Sequence, residues 1–443
     1  MKRRLQMPLA RRRFLTGTGA ALATGLVAPT AVPAASRKES PAFDGSDWDS
    51  VRAQFALSDD YIHMSAMLVA SHPKPVRDAI ERHRRGLDAD PVRYLEQRYN
   101  PMLRKVRAAA GGYLGIDGAQ VALTDSTTMG VGLVYNGLRL KEGQEILSTD
   151  EDYYVTHESI RQAAARYGAT VRTIPLFDKI ADVSADGIVE TIARAVQPKT
   201  RVVAVTWVHS STGLKIPVGR IAEALEKVNE GRDEEDRALL CVDGVHGFGI
   251  ENVSMKDLGC DFLMAGCHKW LFGPRGTGIV AGTRRGWRAT APLIPSFHDD
   301  DAWTAWLNGK APEQPTTAAA MMPGGFKPFE HRWALAEAFD FHRKIGRKRV
   351  AERTHALAGA LKDGLAGMGH VRLLTPRSAG LSAGIVSFDV DGLSPDAAMK
   401  RLRARKIIAS VAPYATQHVR VTPSIRNTPG EIEKVLEAVR SLA

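Results

Sequence analysis

The sequence predicts an α/β protein: a mostly parallel, seven-stranded sheet covered by helices on both faces, followed by a smaller C-terminal α+β domain. Three observations lead there. From about residue 121 to 281, short apolar runs alternate with helix-period stretches, the βαβα order that builds parallel sheets. At 443 residues the chain is too long for one simple core, so two lobes are the default. Composition is that of a soluble globular chain, 44% hydrophobic and 25% charged, which excludes a disordered class.

In chain order, residues 1–36 read as a targeting segment. Ala10-Arg-Arg-Arg-Phe14-Leu15 precedes a weakly apolar stretch from Thr16 to Val32, rich in Gly, Ala and Thr. Pro33-Ala34-Ala35-Ser36 then offers a small-residue cleavage region. Twin arginines followed by Phe-Leu resemble a twin-arginine (Tat) export signal, which implies passage through the Tat translocon and a periplasmic location. An uncleaved membrane anchor is the alternative, but the stretch is short and Gly/Thr-rich for a spanning helix. The segment also explains much of the net charge of +11. It holds six Lys/Arg and no acid, leaving +5 elsewhere, and no basic run is interleaved with aromatics. Nucleic acid is therefore not an expected partner.

Residues 37–74 form an N-terminal segment, with Ser40–Asp60 a polar lead-in. The large domain is expected over 75–330. Pro75–His83 starts a helix with proline in its first turn, and Pro101–Leu114 reads as another, ended by Gly111-Gly112. Strands follow at Val121–Thr124, Glu145–Ser148, Val171–Pro175, Arg201–Val208, Leu239–Asp243, Phe262–Ala265 and Gly278–Ala281. Helices lie between them at Thr128–Leu138, Thr156–Tyr167, Gly187–Ala195 and Val218–Asn229. Asn229–Asp236 is a charged surface loop. Between Arg285 and Phe329 the texture changes, and His298–Asp301 and Ala311–Phe326 read as loops. A long helix, Glu330–Ile345, leads into a small domain over 331–443. Its expected elements are helices at Val350–Leu365, Pro395–Arg403 and Pro429–Leu442, and strands at Val371–Leu374 and Gly384–Val390.

The three cysteines, Cys241, Cys260 and Cys267, sit in or beside apolar strands and read as small core residues. No Cys/His cluster has zinc spacing, so no structural metal is expected.

One apolar run, Phe262-Leu-Met-Ala-Gly-Cys-His268-Lys269, ends in an amine, and a neighbouring one ends in Cys241-Val-Asp243-Gly-Val-His246. Burial lowers a lysine's pKa because the cation loses its water, and a neutral amine attacks carbonyls. An aspartate beside it suits a protonated pyridine nitrogen, which makes the ring an electron sink. The pair reads as a pyridoxal 5'-phosphate (PLP) site. Ser126-Thr127-Thr128 stands between a strand and a helix, where free amides and the helix dipole favour a dianion; plain N-capping is the competing reading.

Residues 55–443 resemble the PLP-dependent class V aminotransferase family of fold type I, in particular its isopenicillin N epimerase-like members. The resemblance implies that Lys269 is the Schiff-base lysine, Asp243 the partner of the pyridine nitrogen, His246 a contact of the ring hydroxyl and His268 a neighbour of the phosphate. It also implies that Ser126, Thr127 and Thr128 cradle the phosphate and that an aromatic stacks on the ring. Tyr153 is the choice for that aromatic, with Tyr154 the alternative. Ser210 or Ser211, in His209-Ser-Ser-Thr-Gly213, is implied beside the cofactor. Arg420, in Arg420-Val-Thr-Pro-Ser-Ile-Arg426-Asn-Thr428, is implied to grip a substrate carboxylate, for which a guanidinium fork is suited.

Three departures narrow the chemistry. Ala409–Gln417 holds no cysteine where desulfurases carry their nucleophile. Gly266 replaces a serine that often contacts phosphate. The loops Gly273–Thr277 and Gly324–Phe326 differ from the desulfurase pattern; in relatives they reach the neighbouring subunit's cofactor, which implies a homodimer. The expected activity is PLP chemistry at the α-carbon of an amino acid or amino-acid-containing metabolite, as an aminotransferase or epimerase. The alternatives are tailoring of a pyoverdine-like siderophore side chain in the periplasm, or C–S/β-lyase chemistry on the same scaffold. An idle scaffold is disfavoured by Lys269, Asp243 and Arg420 standing together. A nucleotide-binding protein is disfavoured because no glycine-rich fingerprint follows the early strands.

Overall fold

The computed structural model describes residues 43–443, so the expected export signal lies outside the described residues. The first strand, β1 (Ile62–His63), is followed by seven that share one sheet: β2 (Val121–Thr124), β3 (Glu145–Thr149), β4 (Thr170–Ile174), β5 (Thr200–Thr206), β6 (Leu239–Asp243), β7 (Phe262–Gly266) and β8 (Gly278–Gly282). Their order is β2-β8-β7-β6-β5-β3-β4. The neighbours from β4 through β3, β5 and β6 to β7 are parallel, whereas β8 runs antiparallel to both β7 and β2. Every residue of β5, β6 and β7 is buried, which is why they read as continuous apolar runs rather than alternating ones. The sheet core includes Val203, Val242, Leu263 and Ile279, packed against helix residues such as Val134, Ile160 and Ile221.

The C-terminal lobe adds β9 (Val371–Leu373), β10 (Val386–Val390), β11 (Ile407–Ile408), β12 (Ser410–Val411) and β13 (Val419–Val421). An antiparallel sheet of order β12-β13-β10-β9 packs Phe388 and Val421 against Leu361, Leu402 and Val435 from three helices. β1 pairs in parallel with β11, so the N-terminal segment extends this lobe rather than the main sheet. Helix Phe329–Ile345 contributes Leu335 and Phe339 to the main core, where Ala383 and Ile385 from the stretch before β10 join them.

Several boundaries differ from the sequence reading for definable reasons. Pro101 does not open a helix: it lies inside one of 24 residues, Pro91–Leu114, whose true start is Pro91, capped by the Asp90 side chain on Arg93 N. The polar lead-in holds a short helix, Trp48–Ala53, capped by Asp47. Asp299 likewise caps Asp300–Leu307, a helix that begins inside the expected loop His298–Asp301. The strands β11 to β13 are two or three residues long, below the length at which apolar alternation carries a signal. Cys241, Cys260 and Cys267 are free and buried. Among the described residues no helix is long and apolar enough to cross a membrane, and no group of three His, Cys, Asp or Glu side chains could hold a metal ion.

Candidate active site

A cavity of about 190 Å³ opens at the carboxyl ends of the parallel strands, where open α/β sheets place their ligands. Five strands of the sheet deliver parts of its wall. β6 ends in Asp243, and the turn after it carries Val245 and His246. β7 leads in three residues to His268 and Lys269. The turn after β2 supplies Ser126, Thr127 and Thr128, the turn after β3 supplies Tyr153, and the stretch after β5 supplies Ser210. Arg420 comes from β13 of the C-terminal lobe. All ten residues singled out from sequence thus meet around one space. Tyr153 lines it while Tyr154 is exposed, which separates two aromatics the sequence left interchangeable.

The charged groups are strained by their setting. Asp243 is buried, and its Oδ1 accepts from Val245 N at 3.0 Å. Lys269 faces the same space. Burial is the largest influence on both: it pushes the carboxyl up and the ammonium down, and each one's opposite charge only partly pulls the other back. Arg420, 2% exposed, is lowered to about 10, chiefly by burial, and so stays a cation at neutral pH. Among the described residues no carboxylate pairs with it. Nη1 donates to Ser210 O at 2.7 Å and Nη2 to Val411 O at 2.9 Å, while buried Nε has no protein partner. A buried donor left unsatisfied costs roughly 1–3 kcal/mol, so a ligand oxygen here would be bound with a margin already in place.

The cradle is built from donors. Ser126 Oγ accepts from Met129 N at 3.1 Å as the N-cap of helix Thr127–Gly137, and Thr127 Oγ1 accepts from Gly266 N at 2.7 Å. The N-capping alternative for Ser126 therefore holds together with the cradle reading. Each hydroxyl, already accepting, keeps its proton to donate into the cavity, and the helix N-terminus adds its dipole. Gly266 has a direct purpose here: a Cβ on it would stand 3.0 Å from Thr127 Oγ1 and 3.1 Å from His268 Cε1. The glycine that departs from the family pattern is what lets Thr127 and His268 close in. Buried His268 Nδ1 and Thr206 Oγ1 on the same wall also lack protein partners.

Residues outside the sequence reading back or extend the wall. Tyr414 Oη lies 2.7 Å from Ser210 Oγ, and its ring centroid is 5.6 Å from that of Tyr153. Trp270 Nε1 donates to His246 Nδ1 at 3.2 Å. Met67 and Leu68 enter from the N-terminal segment. Nothing in local sequence marks these residues, since their partners are 24 to more than 200 positions away.

A partly buried lysine opposite a buried aspartate, beside a donor-lined helix N-terminus, fits a ring nitrogen, a carbonyl and a phosphate, and the fold and site together define a PLP-dependent enzyme of fold type I. The chain belongs to the aminotransferase class-V family, which residues 69–428 match. It is 26% identical over 424 residues to isopenicillin N epimerase of Amycolatopsis lactamdurans, covering 89% of this chain and 98% of that one. The Streptomyces clavuligerus isopenicillin N epimerase is also 26% identical, over 407 residues and 90% and 98% of the two chains. In fold it is similar to C-DES, described as a cystine C-S lyase. A form with glycine covalently linked to its PLP superposes at a TM-score of 0.78, with 21% identity and coverage of 88% and 98%; the complex with cysteine persulfide superposes at 0.76.

Proposed function

We propose that the protein acts at the α-carbon of an amino acid or an amino-acid-containing metabolite, as an aminotransferase or an isopenicillin N epimerase-like enzyme. The observation that carries this is the single cavity shared by Lys269, Asp243 and Arg420. PLP, once bound, supplies an electron sink that stabilises negative charge at the carbon attached to the substrate nitrogen. The chain's own residues supply the rest. Ser126, Thr127, Thr128 and His268 hold the phosphate, Tyr153 packs on the ring, Ser210 borders it, and Asp243 keeps the ring nitrogen protonated. Arg420 holds the substrate carboxylate through its free Nε–H and the unused hydrogens of its Nη atoms. Burial leaves the Lys269 amine able to accept and return a proton near neutral pH.

Homology to two isopenicillin N epimerases along nearly their full length favours α-carbon chemistry over the C–S lyase alternative. The missing cysteine in Ala409–Gln417 argues the same way against desulfuration. Siderophore side-chain tailoring stays the second reading and draws on the twin-arginine segment alone. That segment also supports export to the periplasm, and the departing loops Gly273–Thr277 and Gly324–Phe326 support a homodimer. The deciding experiment follows the visible absorption of the purified protein while amino acids are added in heavy water. Loss of the lysine-linked band with keto-acid formation means transamination. A persistent band with exchange of the substrate α-hydrogen means epimerase-type chemistry. Neither change with any amino acid, in protein that shows the band, sinks the α-carbon reading.

A further inference from the structure

Trp270 follows Lys269 directly, yet its side chain turns away to another task. Its indole is 2% exposed, and Nε1 lies 3.2 Å from Nδ1 of His246. An indole N–H donates and never accepts, so Nδ1 must be the acceptor. A neutral imidazole that accepts at Nδ1 carries its proton on Nε2. An imidazolium would set a second N–H against the indole N–H, with two donors face to face. Burial and the nearby Lys269 and Arg420 oppose that cation as well, holding His246 well below the ordinary histidine range.

Trp270 is itself closely packed. Gly249, at φ +87°, lies so close that a Cβ there would stand 2.8 Å from the Trp270 carbonyl carbon and 3.0 Å from its Cβ. On the far side, a Cβ on Gly384 would stand 2.7 Å from Cη2 of the ring, with Thr354 Cγ2 beside it. Gly249, in the turn after β6, thus makes room for the backbone and Cβ of Trp270, and Gly384, just before β10, for the edge of its ring, and together they hold the residue where its N–H meets His246.

We propose that Trp270 is a positioning residue that locks His246 in its Nε2-protonated tautomer, so that His246 offers the cavity a hydrogen-bond donor and selects an acceptor oxygen there. With PLP bound, the group that fits is the ring oxygen in its anionic form, since a donor facing an oxyanion is stabilising where a hydroxyl would have to turn its proton aside. The inference rests on the cofactor reading of the cavity and is independent of which reaction follows.

The test is the ¹⁵N spectrum of the holoenzyme carrying ring-labelled histidine, with the His246 signals identified by their loss in His246→Gln. The expected result is a hydrogen-bonded, unprotonated Nδ1 and a protonated Nε2. A proton on Nδ1, or on both nitrogens, overturns the proposal without touching the α-carbon reading. Trp270→Phe keeps an aromatic in the slot but removes the donor. It should lose the single tautomer and weaken PLP retention about five- to tenfold, the worth of one hydrogen bond. A Trp270→Phe protein that melts like wild type and keeps the Nε2 tautomer would mean that the indole is only packing. If that variant does not fold, Gly384→Ala, which pushes on the ring and leaves its N–H in place, should shift the same His246 signals; unchanged signals there also count against the proposal.

Discussion

The Arg420 guanidinium joins the two lobes: its Nη1 donates across from β13 to the carbonyl of Ser210, in the turn that follows β5, at 2.7 Å. Ser210 is held again through its hydroxyl by Tyr414, from the C-terminal lobe, at 2.7 Å. Two further bonds, Thr375 Oγ1 to Thr212 O and Ser387 Oγ to Ser211 O, tie the same turn to that lobe. The turn can lie this close because Gly213, at φ +77°, puts hydrogen where a Cβ would be 2.5 Å from Ile385 O. The arginine is thus oriented before a substrate arrives, which removes part of the ordering cost of binding.

Arg420→Lys keeps the charge and loses the fork. The Ser210 and Val411 carbonyls would compete for one ammonium, leaving less for a carboxylate. The expected outcome is a fall of about tenfold or more in kcat/KM, roughly 1.4 kcal/mol, carried mainly by KM. The visible band of the lysine-linked cofactor should be unchanged; a lost band would place Arg420 with the cofactor instead.

Gly266→Ser puts in place the serine that the family resemblance leads one to expect, yet here its Cβ meets Thr127 Oγ1 and His268 at contact distances that force one of them to move. PLP should dissociate faster, by about tenfold, as one charge-assisted bond is lost. Dialysis followed by absorbance reads this directly. Tighter retention in the serine variant would show that the cradle has slack.

Lys269→Ala should fold, bind PLP without the lysine-linked band, and lose at least about a thousandfold in turnover. It removes both the amine that forms the covalent link and the group that moves the proton. Turnover at the wild-type rate would end the enzyme assignment for this cavity.

Glu151, two residues before Tyr153, gives a pH effect on stability. Burial, aided by Asp152 and Asp150, raises it from 4.5 to about 7, against the Leu176 N–H that holds its charged form. A carboxyl with a raised folded pKa binds more protons when native, so between those two values stability falls as pH rises. Glu151→Gln should therefore melt a few degrees above wild type at pH 8 and together with it near pH 4. Equal melting at pH 8 would show that solvent reaches the carboxyl.

Much of this was readable in the sequence because the central strands of the sheet are buried on both faces. β5, β6 and β7 announce themselves as apolar runs, and Asp243 at the end of β6 and Lys269 three residues beyond β7 follow from them, whereas Thr206 fell inside an expected strand, Arg201–Val208, and carried no mark. The N-cap at Ser126 and the fork at Arg420 are local signals too. What escaped lies in partners far apart along the chain. Trp270 looks like one more apolar residue until His246 is seen beside it, and Tyr414 sits in a loop with no periodicity. Pro101 misled because its ring is tolerated inside a helix long enough to continue on both sides, and β11 to β13 are too short to show any pattern.

The three native thiols are all interior, and burial pushes each above its ordinary pKa. They are every cysteine the chain has, so the folded protein offers alkylating dyes no thiolate to attack. It is in effect a cysteine-free surface without any substitution. Ala379→Cys, on an exposed turn of the C-terminal lobe, would be the one position that takes a fluorophore, a single label whose emission overlaps or avoids the cofactor's own absorbance by choice of dye.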